Sequence, residues 1–238
     1  MRVPASAIAA LVVLATAACG GSGEKTPAPL TKPPAPTLHR VRELAARVPE
    51  RTSIALRARP QGRVVATIGA RTEFGSPQTL AVAARRGDWV AVRSPALEND
   101  EVGWVRARQL RLLNRPVSLE VDLSRRELTV HDPQDPDRRI SVAIGAPDTP
   151  TPPGEFYVTD KLLGADFGPY YGCCILALSG RQPNLPQGWS GGDRLAIHGS
   201  PTPTWGRAVS NGCLHADEAD LRYLMKTIPL GTRVLIHA

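Results

Sequence analysis

Apolar and polar residues alternate along much of the chain after residue 50, and this pattern constrains the fold more than any other feature. Alternation with a period of two is typical of a β-strand that buries one face. In the second half of the chain, the alternating segments are 117–123, 127–132, 138–145, 154–160, 195–200 and 233–238. Arg125 and Arg126 form a plausible turn between the first two. The pattern predicts a mainly β protein, and 238 residues suffice for one or two domains.

One segment near the end follows a helical period instead. Its apolar residues recur at the three- and four-residue spacing of one helix face: Leu221, Leu224, Met225 and Ile228. Asp217 is a favourable N-cap, and Pro229 and Gly231 are typical of the residues that follow a helix. We therefore predict one amphipathic helix in an otherwise β-rich unit.

The chain begins with the pattern of an export signal. Arg2 precedes an apolar stretch over 5–18 that is too short for a comfortable membrane span and ends at Cys19. The letters TAACG resemble the lipobox of bacterial lipoproteins, in which the Cys is lipidated and becomes the new N-terminus. Thr16 departs from that motif, and ordinary signal cleavage is the alternative. We predict a signal peptide over 1–18 and an exported protein, lipid-anchored at Cys19 to a membrane facing the cell wall or periplasm.

A Pro- and Gly-rich segment follows, and it predicts a tether over 19–49. Many of the chain's 23 prolines lie there, where they favour extended conformations over a packed core. Residues 39–48 could add a short helix to the end of this tether.

Residues 50–113 show closely spaced strand patterns without a helical period, which favours a small β-barrel. The segments are 53–58, 63–69, 79–86, 88–94 and 101–110. A strand beginning at Trp89, then Gly103 and Trp104, and a closing Leu110 resemble the bacterial SH3-like domain. Members of that family bind peptidoglycan or flank wall enzymes, and a structural spacer with Trp89 and Trp104 in its core is an equal alternative.

Two places in the last third carry reactive side chains. His198 ends an apolar strand, and Cys213 precedes the predicted helix after Gly212. A thiolate is a strong nucleophile, an imidazole can take its proton, and a glycine exposes backbone N–H groups to an oxyanion. Alone, a Cys and a His at this separation are a weak signal, because buried cysteines are common in protein cores.

The letters around these two residues resemble the signature of the L,D-transpeptidase catalytic domain, also called the YkuD-like domain. That signature has His, a loop of about a dozen residues, and then Ser or Thr, commonly His or Asn, Gly, Cys and an aliphatic residue. This chain has His198-Gly199, ten residues, and Ser210-Asn211-Gly212-Cys213-Leu214. The segment 149–156 (TPTPPGEF) resembles a further family motif. The resemblance predicts a β-rich catalytic domain over 116–238.

The resemblance also implies a role for each matched residue. Cys213 is the expected nucleophile and His198 its general base, with N–H groups around Gly212 and Cys213 holding the oxyanion. We expect a backbone carbonyl to orient His198 and Ser210 to support the loop. The remaining candidates are substrate contacts: Asn211, Tyr171, Gly199 and His215. His215 stands where the family has Arg or Asn, so it could bind a carboxylate only when it is protonated, which near neutral pH is partial.

The implied reaction is acyl transfer on peptidoglycan stem peptides. Cys213 attacks the carbonyl of the third residue of a tetrapeptide stem and releases D-Ala. An amine of a neighbouring stem then takes the thioester and forms a 3–3 cross-link. Water as acceptor gives an L,D-carboxypeptidase, and a protein lysine gives attachment to the wall. The family needs no cofactor, and no His/Cys spacing in the chain suits zinc.

Cys173 and Cys174 are left over if Cys19 is lipidated and Cys213 is free. They either pair with each other or lie as two small apolar side chains in a strand beside the site.

Three other functions compete with the transpeptidase reading. An NlpC-type peptidase has Cys before His in the chain, whereas here His198 precedes Cys213. A non-catalytic wall-binding lipoprotein conflicts with the intact His198, Gly212 and Cys213. The net charge of +7 fits an anionic partner. Without interleaved aromatic and basic residues, however, it does not favour nucleic acid.

Overall fold

The computed structural model describes residues 41–238. The predicted signal peptide, the lipidation site at Cys19 and most of the predicted tether lie outside these residues. Within the described part of the chain, no α-helix has the length and apolar character that crossing a membrane requires.

The first part of the described chain is a seven-stranded sheet with the strand order β3-β2-β6-β5-β4-β1-β7. Its strands are β1 (Leu44–Arg47), β2 (Ser53–Arg57), β3 (Val64–Gly69), β4 (Thr79–Arg86), β5 (Trp89–Val92), β6 (Gly103–Arg106) and β7 (Arg111–Asn114). Neighbouring strands of this sheet pair antiparallel. Each of the five predicted segments contains a strand, and β1 and β7 are additional. We call residues 41–114 the first unit; its assignment to the SH3-like class stays a prediction.

Residues 44–47 form strand β1, so the predictions of a tether that reaches residue 49 and of a short helix that reaches residue 48 are wrong. Ala45 and Ala46 of β1 are fully buried, as is nearly all of Val48. The strand pairs with β4 on one side and β7 on the other. These non-local pairings outweigh the helical preference of its Leu, Ala and Arg residues.

Of the two tryptophans considered for the core, Trp89 is buried and Trp104 is partly buried, and neither belongs to the main apolar cluster of the first unit. Trp89 and Trp104 are on neighbouring strands, and each ring packs against a guanidinium. Arg106 is 4.8 Å from the Trp89 ring centre and Arg86 is 5.4 Å from that of Trp104. The arginines cover these rings through cation–π contacts.

The second part is a larger sheet of eight strands in the order β10-β9-β8-β17-β12-β13-β14-β16, with a two-stranded pair β11-β15 beside it. The elements are β8 (Ser118–Asp122), β9 (Glu127–Asp132), β10 (Asp135–Ser141), β11 (Ile144–Gly145), β12 (Gly154–Leu163), β13 (Cys174–Arg181), β14 (Arg194–His198), β15 (Ala208–Ser210), β16 (Leu214–His215), helix α1 (Glu218–Thr227) and β17 (Arg233–His237). The mainly β prediction is confirmed.

The predicted helix is also confirmed. The Asp217 side chain accepts a hydrogen bond from the Asp220 N–H at 2.9 Å, as an N-cap does. Leu221 and Leu224 are fully buried in the core of the second part, beneath the large sheet. This helix follows β16 directly and so fixes the loop that carries Cys213.

The two parts pack against each other through β4 and β12. Tyr157 of β12 is fully buried and joins the core of the first unit rather than that of the second. Arg93 of the first unit donates to Glu155 of β12 at 3.0 Å. A Cβ on Gly231 would lie 2.8 Å from the Ala45 Cβ, so the chain needs a glycine where the parts meet.

Candidate active site

A cavity of about 560 Å³ opens beside the end of β14 and contains both reactive residues. The residues that line it include Tyr171, Gln182, His198, Ser210, Asn211, Cys213 and His215. Gly199 and Gly212, also predicted site residues, are not among its lining residues.

Parallel pairing of β14 with β16 brings the two reactive residues together. Ile197 lies opposite Leu214 and His198 opposite His215. Cys213 precedes Leu214 directly, so it lies beside the strand that ends at His198. The fourteen residues between His198 and Cys213 thus close a loop at one edge of the sheet.

His198 is held as a neutral base with a defined tautomer. Its side chain is largely buried, and Nδ1 lies 2.6 Å from the Gly199 carbonyl oxygen. A carbonyl only accepts, so Nδ1 carries the proton and Nε2 is left with a free lone pair. Burial, together with the nearby His215, lowers the pKa of His198 to about 4. The prediction that a backbone carbonyl orients this residue is confirmed.

Cys213 is a protonated thiol in this arrangement. Its side chain is half-buried, and Sγ lies 3.8 Å from the Arg194 carbonyl oxygen, to which it donates. Burial raises its pKa to about 11, more than a backbone hydrogen bond from Ala196 lowers it. Within residues 41–238, no hydrogen bond joins Sγ to the His198 ring. The resting pair is therefore neutral thiol and neutral imidazole.

Ser210 supports the nucleophile loop, as predicted. Its hydroxyl donates to the Cys213 carbonyl at 2.5 Å and accepts from the Gly212 N–H at 3.1 Å. The Gly212 N–H is thus occupied, which corrects its predicted role as an oxyanion donor. The Cys213 N–H makes no hydrogen bond within the part of the chain that the structure describes, so it is the better-placed donor.

Gly212 has a conformational role instead. Its φ of 110° is strained for any residue with a side chain. A Cβ there would lie 2.1 Å from the Gln182 Nε2, so this side chain could not approach the loop as it does.

Gln182 is the functional residue that sequence reasoning missed. It is buried. Its amide nitrogen donates to the carbonyls of Thr149 at 3.2 Å, Pro150 at 2.9 Å and Asn211 at 3.3 Å. Its amide oxygen accepts from the Asn184 N–H at 3.0 Å. One side chain thus joins the predicted 149–156 motif to the nucleophile loop. A single Gln after a strand carries no sequence signal for this role.

The 149–156 motif reaches the same loop through two hydroxyls. Thr149 donates to the Ser210 carbonyl at 2.9 Å, and Thr151 donates to the Gly212 carbonyl at 2.8 Å. Both threonines are buried. The motif therefore acts on the site by holding the backbone that presents Cys213.

Replacing Gln182 by alanine is expected to loosen this loop. The change leaves buried carbonyls without a donor, at about 1–3 kcal/mol for each unsatisfied group. We expect a lower melting temperature and faster alkylation of Cys213 at a fixed pH, because a looser loop exposes the thiol and lowers its pKa towards the ordinary value. Gln134→Ala is the control, since Gln134 lies in an exposed turn. Equal melting temperatures and alkylation rates in wild type and Gln182→Ala would contradict this role.

His215 and Tyr171, two of the predicted substrate contacts, both lie next to the His198 ring. His215 shares a hydrogen bond of 3.1 Å with the Thr204 hydroxyl, and its ring lies 4.6 Å from that of His198. Burial lowers the pKa of His215, which disfavours the protonated form that binding a carboxylate would need. The Tyr171 ring lies 4.9 Å from that of His198 and faces the cavity.

Asn211 and Gly199 differ in exposure. Asn211 is exposed at the cavity, where a ligand can reach it. Gly199 is buried: its N–H donates to the Tyr171 carbonyl at 2.9 Å, and a Cβ on it would lie 2.7 Å from the Gly172 Cα. Gly199 thus allows the Tyr171 turn to pack against the base.

Cys173 and Cys174 are joined by a disulfide, and Cys213 is free. Of the two alternatives, the structure has the paired one. The bridge begins β13 and follows the turn that carries Tyr171.

The cysteine pairing predicts a thiol count. Denatured protein spanning residues 20–238 should gain one carbamidomethyl group from iodoacetamide without reduction, and three after reduction. Intact mass measures both. Three adducts without prior reduction would show that Cys173 and Cys174 are not paired.

Residues 116–236 match the family model YkuD, described as the L,D-transpeptidase catalytic domain. The chain belongs to this family. Among curated relatives, YqjB of Bacillus subtilis (strain 168), whose name proposes it as an L,D-transpeptidase, is 40% identical over 106 residues, 40% of this chain and 57% of that protein. YkuD of the same organism, named in the same way, is 30% identical over 125 residues, 51% of this chain and 66% of that protein.

The chain thus spans 57% to 66% of the length of these relatives. Solved structures with a similar arrangement include a mutant of the Enterococcus faecium L,D-transpeptidase, at 23% identity and a TM-score of 0.39, covering 52% of this chain and 50% of that one. L,D-transpeptidase 3 from Mycobacterium tuberculosis aligns at 16% identity and a TM-score of 0.41, covering 60% of this chain and 70% of that one.

Proposed function

We propose that this protein is a peptidoglycan L,D-transpeptidase that uses Cys213 as its nucleophile. The observation that carries the proposal is the cavity in which Cys213 lies beside a neutral His198 with a free Nε2 lone pair. This pair lies within the segment that matches the L,D-transpeptidase catalytic domain. The substrate class, a tetrapeptide stem ending in D-Ala, comes from the family and not from the cavity.

The first half-reaction forms a thioester. The Cys213 thiol gives its proton to the His198 Nε2 as Sγ attacks the third-residue carbonyl carbon of the stem. The Cys213 N–H is placed to stabilise the oxyanion. His198 then returns the proton to the departing amine, the amide C–N bond breaks and D-Ala leaves.

Proton transfer has to accompany the attack in this mechanism. The pKa of Cys213 is about 11 and that of His198 about 4. Forming the thiolate–imidazolium pair before attack is therefore unfavourable, even though the attraction between the two charges offsets part of the cost. A bound stem that brings the carbonyl to Sγ lets the new C–S bond offset this cost.

The second half-reaction transfers the acyl group. An acceptor amine attacks the thioester carbonyl, loses a proton to His198, and releases Cys213 as the thiol. A stem amine gives a 3–3 cross-link, a protein lysine gives attachment to the wall, and water gives an L,D-carboxypeptidase.

Incubation of residues 20–238 with a purified disaccharide tetrapeptide tests the proposal. We expect release of D-Ala and a cross-linked dimer, both measured by mass spectrometry. A product that has lost D-Ala and gained only water would identify the carboxypeptidase instead. A folded protein that releases no D-Ala and forms no Cys213 adduct with a carbapenem would support the non-catalytic wall-binding alternative.

We also propose that the protein is exported and anchored by lipid at Cys19, on the sequence pattern of residues 1–19. A membrane anchor would hold the cavity within reach of the stem peptides. The prediction that the first unit is an SH3-like domain belongs to the same proposal.

A further inference from the structure

Two loops of the first unit contact both ends of a hairpin that forms a wall of the cavity. This segment, residues 182–193, connects β13 to β14 and is called the cavity hairpin below. Gln182, Leu185, Trp189 and Asp193 of the hairpin line the cavity. The position of the hairpin therefore sets the shape of the space in front of Cys213.

Asn99 of the first unit holds the residue at which the hairpin begins. Its side-chain amide donates to the Arg181 carbonyl and accepts from the Arg181 N–H, both at 2.8 Å. The side chain thus replaces a neighbouring strand for the last residue of β13. The Arg181 guanidinium also donates to the Pro95 carbonyl at 3.2 and 3.1 Å.

The other end of the hairpin is fixed by two ion pairs. Arg181 Nη1 lies 2.6 and 2.8 Å from the Asp193 carboxylate, which closes the base of the hairpin. Arg194, the next residue, pairs with Glu73 of the first unit. The Arg194 side chain is 14% exposed, so this charge is poorly solvated and depends on its partner.

Arg194 contacts the nucleophile directly. Its backbone carbonyl accepts the hydrogen bond from the Cys213 thiol. Its guanidinium also donates to the Leu178 carbonyl at 3.1 and 2.7 Å, so it crosses from β14 to β13. A shift of Arg194 would therefore move the acceptor that orients Sγ.

We propose that Asn99 and Glu73 are positioning residues of the transpeptidase reaction, through which the first unit fixes the cavity hairpin and the start of β14. The inference rests on the proposed function for its effect on turnover. It gives the first unit a role inside the catalytic assembly that is independent of any binding to the wall. Neither residue lines the cavity, so both act through Arg181 and Arg194.

The test is Asn99→Ala, with hydrogen exchange of the hairpin measured beside turnover. Three hairpin amides are hydrogen-bonded and can report its opening: Gln182 to Asp193, Asn184 to the Gln182 side chain and Trp189 to Pro186. We expect their exchange to be about tenfold to a hundredfold faster, because the two hydrogen bonds of Asn99 are lost. The KM for D-Ala release should rise by about tenfold, with a smaller change in kcat, because the cavity wall no longer holds one shape.

Two further variants control the experiment. Asn114→Ala removes an exposed amide from β7 of the same unit and should leave exchange and turnover as in wild type. Asn99→Asp keeps an acceptor for the Arg181 N–H and should recover part of both effects. If Asn99→Ala fails to fold, Asn99→Asp takes its place in the exchange and turnover measurements.

Each outcome decides the inference. Hairpin exchange equal to wild type in the Asn99 variants would overturn it, as would faster exchange with unchanged KM and kcat. Faster exchange confined to the hairpin, together with the raised KM, would support it. If the wild type releases no D-Ala, the proposed function fails, and the exchange comparison still decides whether the first unit holds the hairpin.

Discussion

Cys213→Ala is expected to reduce D-Ala release by on the order of 10⁴-fold or more, because removal of a covalent nucleophile leaves only binding and oxyanion stabilisation. The carbapenem adduct should disappear with it. The side chain is half-buried and makes only weak sulfur hydrogen bonds, to the Arg194 carbonyl and from the Ala196 backbone, so the fold should hold. Intact mass and D-Ala release measure the two effects, and circular dichroism confirms folding.

Cys213→Ser is the matched control for this result. Serine keeps the shape of the side chain with a smaller polar atom at its end, yet its hydroxyl is a much weaker nucleophile than a thiolate. We expect a melting temperature close to that of wild type and turnover close to that of Cys213→Ala. D-Ala release at the wild-type rate by either variant would remove Cys213 from the mechanism, and a different nucleophile would have to be found.

Strands and helix were predictable where the signal is local. The segments 79–86 and 127–132 coincide with β4 and β9, since alternation and turn residues mark both ends. Helix α1 was predictable for the same reason, since its N-cap and its apolar face lie within one short window. Strand β1 was not, because its Leu, Ala and Arg residues favour a helix and only pairing with β4 and β7 makes it a strand.

The reactive residues of the site were predictable, but their electrostatic state was not. His198 and Cys213 stand out through the letters around them, and the Ser210 and carbonyl contacts follow from those letters. The neutral state of both groups depends on burial, which no motif encodes.

The supports of the site were missed for a different reason. Gln182 acts by reaching the backbone of residues 149–150 and 211, and Asn99 acts by reaching Arg181. These partners are close only after folding, and a single amide side chain gives no pattern that could reveal them. Long-range polar contacts of this kind lie beyond what periodicity or spacing can predict.

Alkylation of Cys213 by iodoacetamide is expected to accelerate about tenfold for each pH unit between pH 7 and 10, about 10³-fold in all. Alkylation needs the thiolate, whose fraction rises tenfold per unit while the pH is below the pKa of about 11. The rate constant is measured by intact mass in native protein. Cys213→Ala shows that the adduct is on this residue, because the disulfide occupies Cys173 and Cys174.

Acylation by a carbapenem over the same range should be much less steep. His198 takes the thiol proton during attack, and with a pKa of about 4 it is already an unprotonated base throughout pH 7–10. Loss of the rate at low pH should follow protonation of His198 near pH 4. In His198→Ala the base is absent, so acylation should become slow and as steep in pH as alkylation. An alkylation rate in the wild type that is high and flat between pH 6 and 9 would instead show a thiolate–imidazolium pair formed before substrate binds, and the coupled proton transfer would be wrong.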